Sequence, residues 1–178
     1  MKEKVEEAIR VHQNNDMAVA FGVASGMILE RALLEESLPD DGLVSSLSEE
    51  AKAAWSKAGE FEELEELLVT ISHEAMKGKE DSPFYDLYGR SCALPGSFTA
   101  PCFLFQQMSS QGPESFEKAL RSNILGAGDT CSRGIFLGAV LAAAKGGPPQ
   151  SWLDKMDKET MERVDAAAEK IAEAIGAV

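Results

Sequence analysis

The sequence has few of the residues that mark a disulfide-rich or a nucleic-acid-binding protein. Its 178 residues include three cysteines, an odd number with no closely spaced pair. A disulfide framework or a zinc site is therefore not expected, and a reducing compartment is the default. Basic residues are also scarce, since the sequence has 17 Lys and Arg but 30 Asp and Glu, which gives a net charge of −13. Because phosphate binding requires clustered basic side chains, we expect neither nucleic acid nor an anionic membrane surface as a partner.

Long apolar runs are missing as well. The two most apolar stretches, residues 17–34 and 134–144, are interrupted by Gly and Ser or are too short, because a membrane span needs about 20 consecutive apolar residues. The N-terminal segment is charged and lacks the apolar core of a signal peptide. We therefore expect no transmembrane span, and we predict a location in the cytoplasm or in the interior of an organelle.

No stretch shows the sustained alternation of a β-strand, whereas helical periodicity extends over almost the whole chain. With 44% hydrophobic residues and no linker or internal repeat, residues 1–178 are predicted to form a single all-α domain, a compact orthogonal bundle of about seven to nine helices. The predicted helices cover roughly residues 3–10, 17–36, 48–58, 61–75, 97–108, 114–125, 130–145, 150–156 and 158–175. The second of these is apolar nearly all round and rich in small residues, which predicts a central helix that its neighbours approach closely.

Two segments are candidates for function. Residues 85–96 are the least regular part of the chain and favour a functional loop. Residues 123–133 place polar groups at the start of an apolar helix, where free N–H groups and the helix dipole stabilise a carboxylate. The simplest interpretation is that Asp129 caps the helix, with Ser132 at its third position. A dinucleotide-binding fingerprint is excluded, because no strand precedes the glycines and Cys131 occupies the third glycine position.

Residues 128–133 (Gly-Asp-Thr-Cys-Ser-Arg) resemble the second metal motif of the ADP-ribosylglycohydrolase family, typically Gly-Gly-Asp-Thr-Asp-Thr. They are more similar to the Gly-Gly-Asp-Asn-Cys-Ser-Arg variant of the family branch that contains J-crystallin and selenoprotein J. Residues 11–20, 88–98 and 148–152 also resemble segments of that branch. Since their order and spacing match from about residue 5 to residue 152, the chain is identified as the C-terminal part of an ADP-ribosylglycohydrolase-like protein.

The resemblance implies a metal half-site and a ligand pocket. In the common motif both aspartates and the last threonine bind magnesium, which would make Asp129 and Ser132 metal ligands here. An ADP-ribose-type ligand would contact residues from three segments of the chain: Gln13, Asn14, Leu94, Gly96, Ser97, Gly128 and Arg133. The resemblance assigns no catalytic residue to this sequence.

The sequence departs from the family pattern in ways that remove metal ligands. Cys131 stands at the position of the second aspartate, and a thiol is a poor ligand for a hard ion. Gln13 stands where many members have a ligand-binding histidine, and His12 is one residue away. The Gly-Asp-Ala-type motif, the Thr-Asp-Asp metal motif and the reactive acidic residue of the family's N-terminal half do not occur in this sequence. Magnesium prefers about six oxygen ligands, so this chain alone is not expected to assemble a two-metal hydrolase site.

Two functions fit these departures. In the first, the chain is a diverged or partial member of the family without hydrolase activity of its own, and it has a structural or interaction role in an assembly or a homo-oligomer. In the second, it is the C-terminal portion of a magnesium-dependent hydrolase that cleaves ADP-ribose glycosidic bonds and is completed by a separate polypeptide. The first is favoured, because Cys131 and the missing motifs both remove metal ligands.

Several side chains near these segments have a simpler structural interpretation. Cys92, Cys102 and Cys131 are expected to be buried, inert thiols, since free cysteine is commonly buried. Arg133 is equally suited to contact a phosphate or to pair with Asp129. The aromatic residues in or beside the loop are expected at the edge of the core rather than in an adenosine-sized pocket: Tyr85, Tyr88 and Phe98.

Overall fold

The computed structural model describes residues 2–35, 61–76, 90–108 and 115–174. These residues form eight α-helices and no strand, which confirms the predicted all-α class. The helices are α1 (Lys2–His12), α2 (Asp16–Glu35), α3 (Phe61–Met76), α4 (Gly96–Gln107), α5 (Ser115–Leu125), α6 (Thr130–Lys145), α7 (Gln150–Leu153) and α8 (Lys158–Ala174). The helix predicted over residues 48–58 lies outside the described residues. The chain divides into two compact units, Met1–Gly147 and Pro148–Val178, and the prediction of a single domain stays a prediction.

The core of the first unit is built around α4. Ten of its twelve residues are buried, and α3, α5 and α6 pack against it. The sequence pattern favoured α2 as the central helix, but α2 buries only seven of its twenty residues. The difference has a physical cause, since α4 contains no charged side chain and can be enclosed on all sides, whereas α2 carries charges in its C-terminal half.

Helix α2 packs against both α1 and α6. A Cβ atom at Gly22 would overlap the end of the Ile9 side chain, so the predicted close approach of a neighbouring helix is confirmed at this position. By length and composition alone, α2 could cross a membrane. Buried core helices share this property, and the buried face of α2 includes Val23, Ala24 and Ile28.

An aromatic cluster joins α2, α4 and α6. The Phe98 ring lies 5.1 Å from that of Phe21, edge to face, and 5.9 Å from that of Phe136, which it stacks on. Phe105 meets Phe136 at 5.8 Å. Aromatic pairs in such geometries stabilise a core beyond their buried area. The cluster therefore fixes the three helices from which the candidate site is built.

In the second unit, α7 is shorter than the helix predicted over residues 150–156. After Leu153 the chain continues in a tighter turn, in which the N–H of Lys155 donates to the Trp152 carbonyl at 3.1 Å. Helix α8 then begins after Asp157, whose carboxylate accepts the Thr160 N–H at 2.9 Å and its hydroxyl at 3.0 Å. This cap stabilises the first turn of α8.

Candidate functional site

The loop before α4 and the start of α6 are held together by hydrogen bonds. The Arg90 carbonyl accepts the Asp129 N–H at 2.7 Å and Arg133 Nη1 at 2.8 Å. In return, Arg90 Nε donates to the Gly126 carbonyl at 3.0 Å. The structure thus brings residues 90–96, the described part of the predicted loop over residues 85–96, together with residues 123–133.

Gly128 is required where these two segments meet. Its φ is +69°, in the left-handed region that side chains other than glycine rarely adopt. A Cβ at this position would overlap the Arg90 carbonyl oxygen and lie 2.5 Å from Arg90 Cβ. The motif glycine therefore has both a conformational and a packing reason to be glycine.

Asp129 caps α6, as the sequence predicted. Its Oδ1 accepts the Ser132 N–H at 3.0 Å and its Oδ2 accepts the Ser132 hydroxyl at 2.8 Å. These bonds lower the pKa of the Asp129 carboxyl, mainly through the Ser132 N–H, and the charge of Arg133 lowers it further. The carboxylate therefore stays ionised at neutral pH at the positive end of the helix.

Arg133 lies fully buried beneath the motif. Its Nε donates to Asn123 Oδ1 at 3.0 Å, and its Nη2 donates to the Ala127 carbonyl. Asn123 in turn donates to the Thr130 carbonyl at 2.9 Å. The guanidinium thus braces α5, the glycine loop and the Arg90 loop. Its contact with a ligand stays a prediction.

The third predicted segment is the exposed turn between α1 and α2, which contains Gln13 and Asn14. Arg10 crosses this turn, since it donates to Glu6 at 2.8 Å, to Asn14 Oδ1 at 3.0 Å and to Asp16 at 2.9 Å. Asn15 caps α2 by accepting the Ala18 N–H at 3.1 Å. The backbone and the Asn14 side chain are therefore fixed in an accessible turn.

The remaining predicted residues lie where α4 begins. Leu94 and Ser97 are partly exposed, while Gly96 is buried at the first position of the helix. The Ser97 N–H donates to the Ala93 carbonyl at 3.2 Å. Because this short stretch continues directly from Arg90, its position relative to the α6 motif is set by the Arg90 hydrogen bonds.

The prediction of three buried thiols is right for Cys102 and wrong for Cys92 and Cys131, which are exposed. Cys92 lies in the loop, and Cys131 is two residues before Arg133. Two residues are separated by about 200° around an α-helix, so the inward-facing Arg133 turns Cys131 to solvent. Burial raises the pKa of the Cys102 thiol well above its usual range.

Of the three aromatic residues, Phe98 lies inside the core rather than at its expected edge, and Tyr85 and Tyr88 lie outside the described residues. Sequence reasoning missed the roles of Arg90 and Asn123. Asn123 carried a signal, since it lies on the apolar face of α5 with Phe116 and Ala119, where a polar residue needs a hydrogen-bond partner when buried. Arg90 carried none, because an arginine in an irregular segment does not indicate which carbonyl its side chain reaches or which donors its own carbonyl accepts.

A magnesium ion takes about six oxygen ligands, of which several are usually waters and one or two are carboxylates, and Asp129 is the one carboxylate of this motif. The motif oxygens that the resemblance assigns to the metal belong to Asp129 and Ser132, and both residues take part in the helix cap. No group of three His, Cys, Asp or Glu side chains within residues 2–35, 61–76, 90–108 and 115–174 is placed to hold a metal ion. The described residues of the motif therefore supply only some of the ligands that a metal site requires.

The fold and this site define an all-helical protein in which a polar motif with a capping aspartate, at the start of a core helix, is anchored to a second loop. The family model for ADP-ribosylglycohydrolase matches residues 1–177, and the chain belongs to that family. No curated protein and no solved structure matched it in the corresponding searches.

Proposed function

We propose that this chain is a diverged ADP-ribosylglycohydrolase-like protein that is not catalytic by itself and serves a structural or interaction role in an assembly. By the order of its four motif segments, it corresponds to the C-terminal part of the family domain, in the branch that contains J-crystallin and selenoprotein J. The acidic charge and the absence of a basic cluster in the sequence favour a protein partner or a second copy over nucleic acid. We place it in the cytoplasm or in the interior of an organelle.

One observation carries this proposal: both carboxylate oxygens of Asp129 are used within the fold. Oδ1 and Oδ2 accept the N–H and the hydroxyl of Ser132, which is the arrangement of an ordinary helix cap. The next position that would carry a family carboxylate is the exposed Cys131. The motif therefore supports the packing of α6 without the ligands that a magnesium ion requires.

A ligand of the ADP-ribose type could still bind without being cleaved. The exposed side chains of Gln13 and Asn14, and the partly exposed Leu94 and Ser97, are accessible for such a contact. Arg133 would act by holding the segments in place, because its guanidinium is buried. The exposed Gly128 would contribute backbone that a ligand can approach, whereas the buried Gly96 would act through the position that it gives to Ser97.

Calorimetric titration of magnesium into the full chain tests the proposal, with hydrolysis of an ADP-ribosylated substrate measured in parallel. We expect no saturable magnesium binding and no hydrolysis by the chain alone. Asp157→Ala is the matched control for Asp129→Ala, since Asp157 also caps a helix through the N–H and the hydroxyl of the third residue after it, although it accepts both bonds at Oδ2. Magnesium binding that Asp129→Ala abolishes and Asp157→Ala leaves intact would overturn the proposal.

An alternative function is that of the C-terminal portion of a magnesium-dependent hydrolase that a separate polypeptide completes. The two oxygens that the resemblance assigns as metal ligands, Asp129 Oδ2 and Ser132 Oγ, are adjacent at 2.8 Å, which favours this alternative because both could bind one ion once the Ser132 hydroxyl hydrogen turns away from Asp129. The separate polypeptide would have to supply the other ligands. Hydrolysis that appears only after a polypeptide with a Thr-Asp-Asp motif is added, and that Asp129→Ala abolishes, would establish this alternative.

A further inference from the structure

Helix α1 has an open groove along one side. The groove has a volume of about 530 Å³, which lies within the range of small-molecule sites. Among the described residues, its wall is formed by one face of α1 and the first residue after the helix: Lys4, Val5, Ala8, Ile9, His12 and Gln13. The side chains in the middle of this face are aliphatic, so the groove has an apolar floor and polar ends.

The floor of the groove is held in place by α2. Ile9 packs against α2 at Gly22, where there is no room for a Cβ atom. Val5 lies one turn before Ile9, on the same side of the helix. Both side chains are half-buried, and Ala8 beside them is exposed. The floor is thus fixed to the core of the first unit while part of its apolar surface stays open to a ligand.

The charges of α1 are divided between its two sides. At 100° per residue, the three glutamates of the helix lie on the side opposite the groove: Glu3, Glu6 and Glu7. Arg10 lies among them and pairs with Glu6 at 2.8 Å and with Asp16 at 2.9 Å. The described residues that line the groove include two basic side chains, Lys4 and His12, and no carboxylate. The groove side of α1 is therefore suited to an anion.

Lys4 is free to form an ion pair with such an anion. Within the part of the chain that the structure describes, neither the Lys4 ammonium nor the His12 imidazole forms a hydrogen bond or an ion pair. Lysine can lay its aliphatic stem along an apolar surface and keep its charged head in water. A positive charge at the end of an apolar floor is the complement of a molecule with an anionic head and an aliphatic chain.

We propose that the α1 groove binds a free monocarboxylate with an aliphatic chain of medium length. The carboxylate pairs with the Lys4 ammonium, and the chain lies over Val5, Ala8 and Ile9 towards His12. The two ends of the groove, Lys4 and His12, are about 12 Å apart along the helix, a distance that an extended chain of this class covers. Burial of the chain supplies most of the affinity, whereas the exposed ion pair contributes less and selects the charge of the head.

The net charge of −13 does not prevent this contact, because charges more than about 8 Å away are largely screened at physiological ionic strength. It does argue against an anionic membrane as the source of the ligand, so we assign the groove to the free molecule. The inference is independent of the function proposed above, since it involves neither the Asp129 motif nor magnesium. Failure to bind the carboxylate would leave that function standing.

Calorimetric titration of the full chain with decanoate tests the groove. We expect saturable binding with a Kd of about 1 mM. Lys4→Met should weaken it about fivefold, and Ala8→Glu should abolish it, because a carboxylate then stands in the apolar floor. Lys155→Met and Ala166→Glu make the same changes at exposed positions of the second unit and should leave the Kd unchanged. Absence of saturable binding in the millimolar range, or a Kd that Ala8→Glu does not change, would overturn the proposal.

Charge reversal tests the role of Lys4 by itself. Lys4→Glu should weaken the binding of decanoate more than Lys4→Met does, because it replaces attraction by repulsion. Decanoate binding that Lys4→Glu leaves unchanged would refute the ion pair. Circular dichroism verifies that each variant keeps its helix content.

Co-sedimentation with phosphatidylserine vesicles distinguishes a free ligand from a membrane. The wild-type chain should stay in the supernatant, since its net charge opposes an anionic surface. Co-sedimentation that Ala8→Glu abolishes would assign the groove to a membrane surface and would overturn the proposal.

Discussion

Arg133 Nη1 donates a hydrogen bond of 2.8 Å to the carbonyl oxygen of Arg90, a residue 43 positions earlier in the chain. The Asp129 N–H donates to the same oxygen at 2.7 Å. One main-chain acceptor thus positions both the capping residue of α6 and the buried guanidinium below it. The loop that leads into α4 and the start of α6 therefore form a single structural unit, whose integrity can be tested residue by residue.

Arg133→Ala should lower the free energy of unfolding by about 3 kcal/mol or more. The substitution removes charge-assisted hydrogen bonds and leaves the Asn123 oxygen and the Arg90 carbonyl without this donor. Denaturant unfolding of the two proteins measures the difference. The matched control is Arg121→Ala, where an exposed i,i+4 pair with Glu117 is lost, and this should cost less than about 0.5 kcal/mol. Equal losses in the two variants would contradict the bracing role of Arg133.

Three glycine substitutions should change the free energy of unfolding by amounts that differ in sign and size. Gly128→Ala should destabilise most, by several kcal/mol, because it combines a φ of +69° with overlap on Arg90. Gly146→Ala should cost about 1–2 kcal/mol, since its φ is +85° but the space around it is open. Gly138→Ala, inside α6 with no atom near the added Cβ, should stabilise by about 0.5–1 kcal/mol. Thermal unfolding of the three variants gives the order, and a Gly128→Ala protein as stable as Gly146→Ala would show that the loops do not meet here.

The contribution of Asp129 to stability should depend on pH. Its pKa is lowered in the folded protein by the Ser132 N–H and hydroxyl, so the folded state favours the ionised form more than the unfolded state does. The resulting stabilisation is complete above the unfolded pKa of about 3.9 and is lost as the pH falls through the lower folded pKa. Asp129→Ala should therefore reduce Tm by a few degrees at pH 7 and by less near pH 3. A reduction in Tm that is the same at both pH values would contradict this cause.

The cysteines should react in two classes. Cys92 and Cys131 are exposed, whereas Cys102 is buried and its pKa is raised by desolvation, which keeps it as the unreactive thiol. A thiol reagent should label two groups per chain quickly and the third only after unfolding. The Cys102→Ser variant should show the same fast phase as the wild type. A fast phase in which one or three thiols react would contradict the exposure of Cys92 and Cys131 or the burial of Cys102.

The sequence alone was sufficient to predict the helical class and most helix positions. The start of α6 at Thr130 and its cap at Asp129 follow from local chemistry, because a carboxylate three residues before a free N–H stabilises a helix start wherever the chain places it. The end of α7 was not predicted correctly. The apolar pattern continues to Met156 and does not indicate the tighter turn that begins after Leu153. Predicted helix ends are generally less certain than helix existence for this reason.

The candidate site was predicted only in part. The sequence determined which segments carry polar groups and small residues, because motif, capping residue and glycine positions are all local properties. Only the tertiary structure decided that Arg90 supplies a carbonyl to Asp129 and Arg133, and that Arg133 faces inward and Cys131 outward. It also decided that, among the described helices, α4 rather than α2 is the most buried. These outcomes depend on contacts between residues far apart in the chain. Because every residue has a backbone carbonyl, the sequence does not indicate which carbonyl will accept a hydrogen bond from a distant donor.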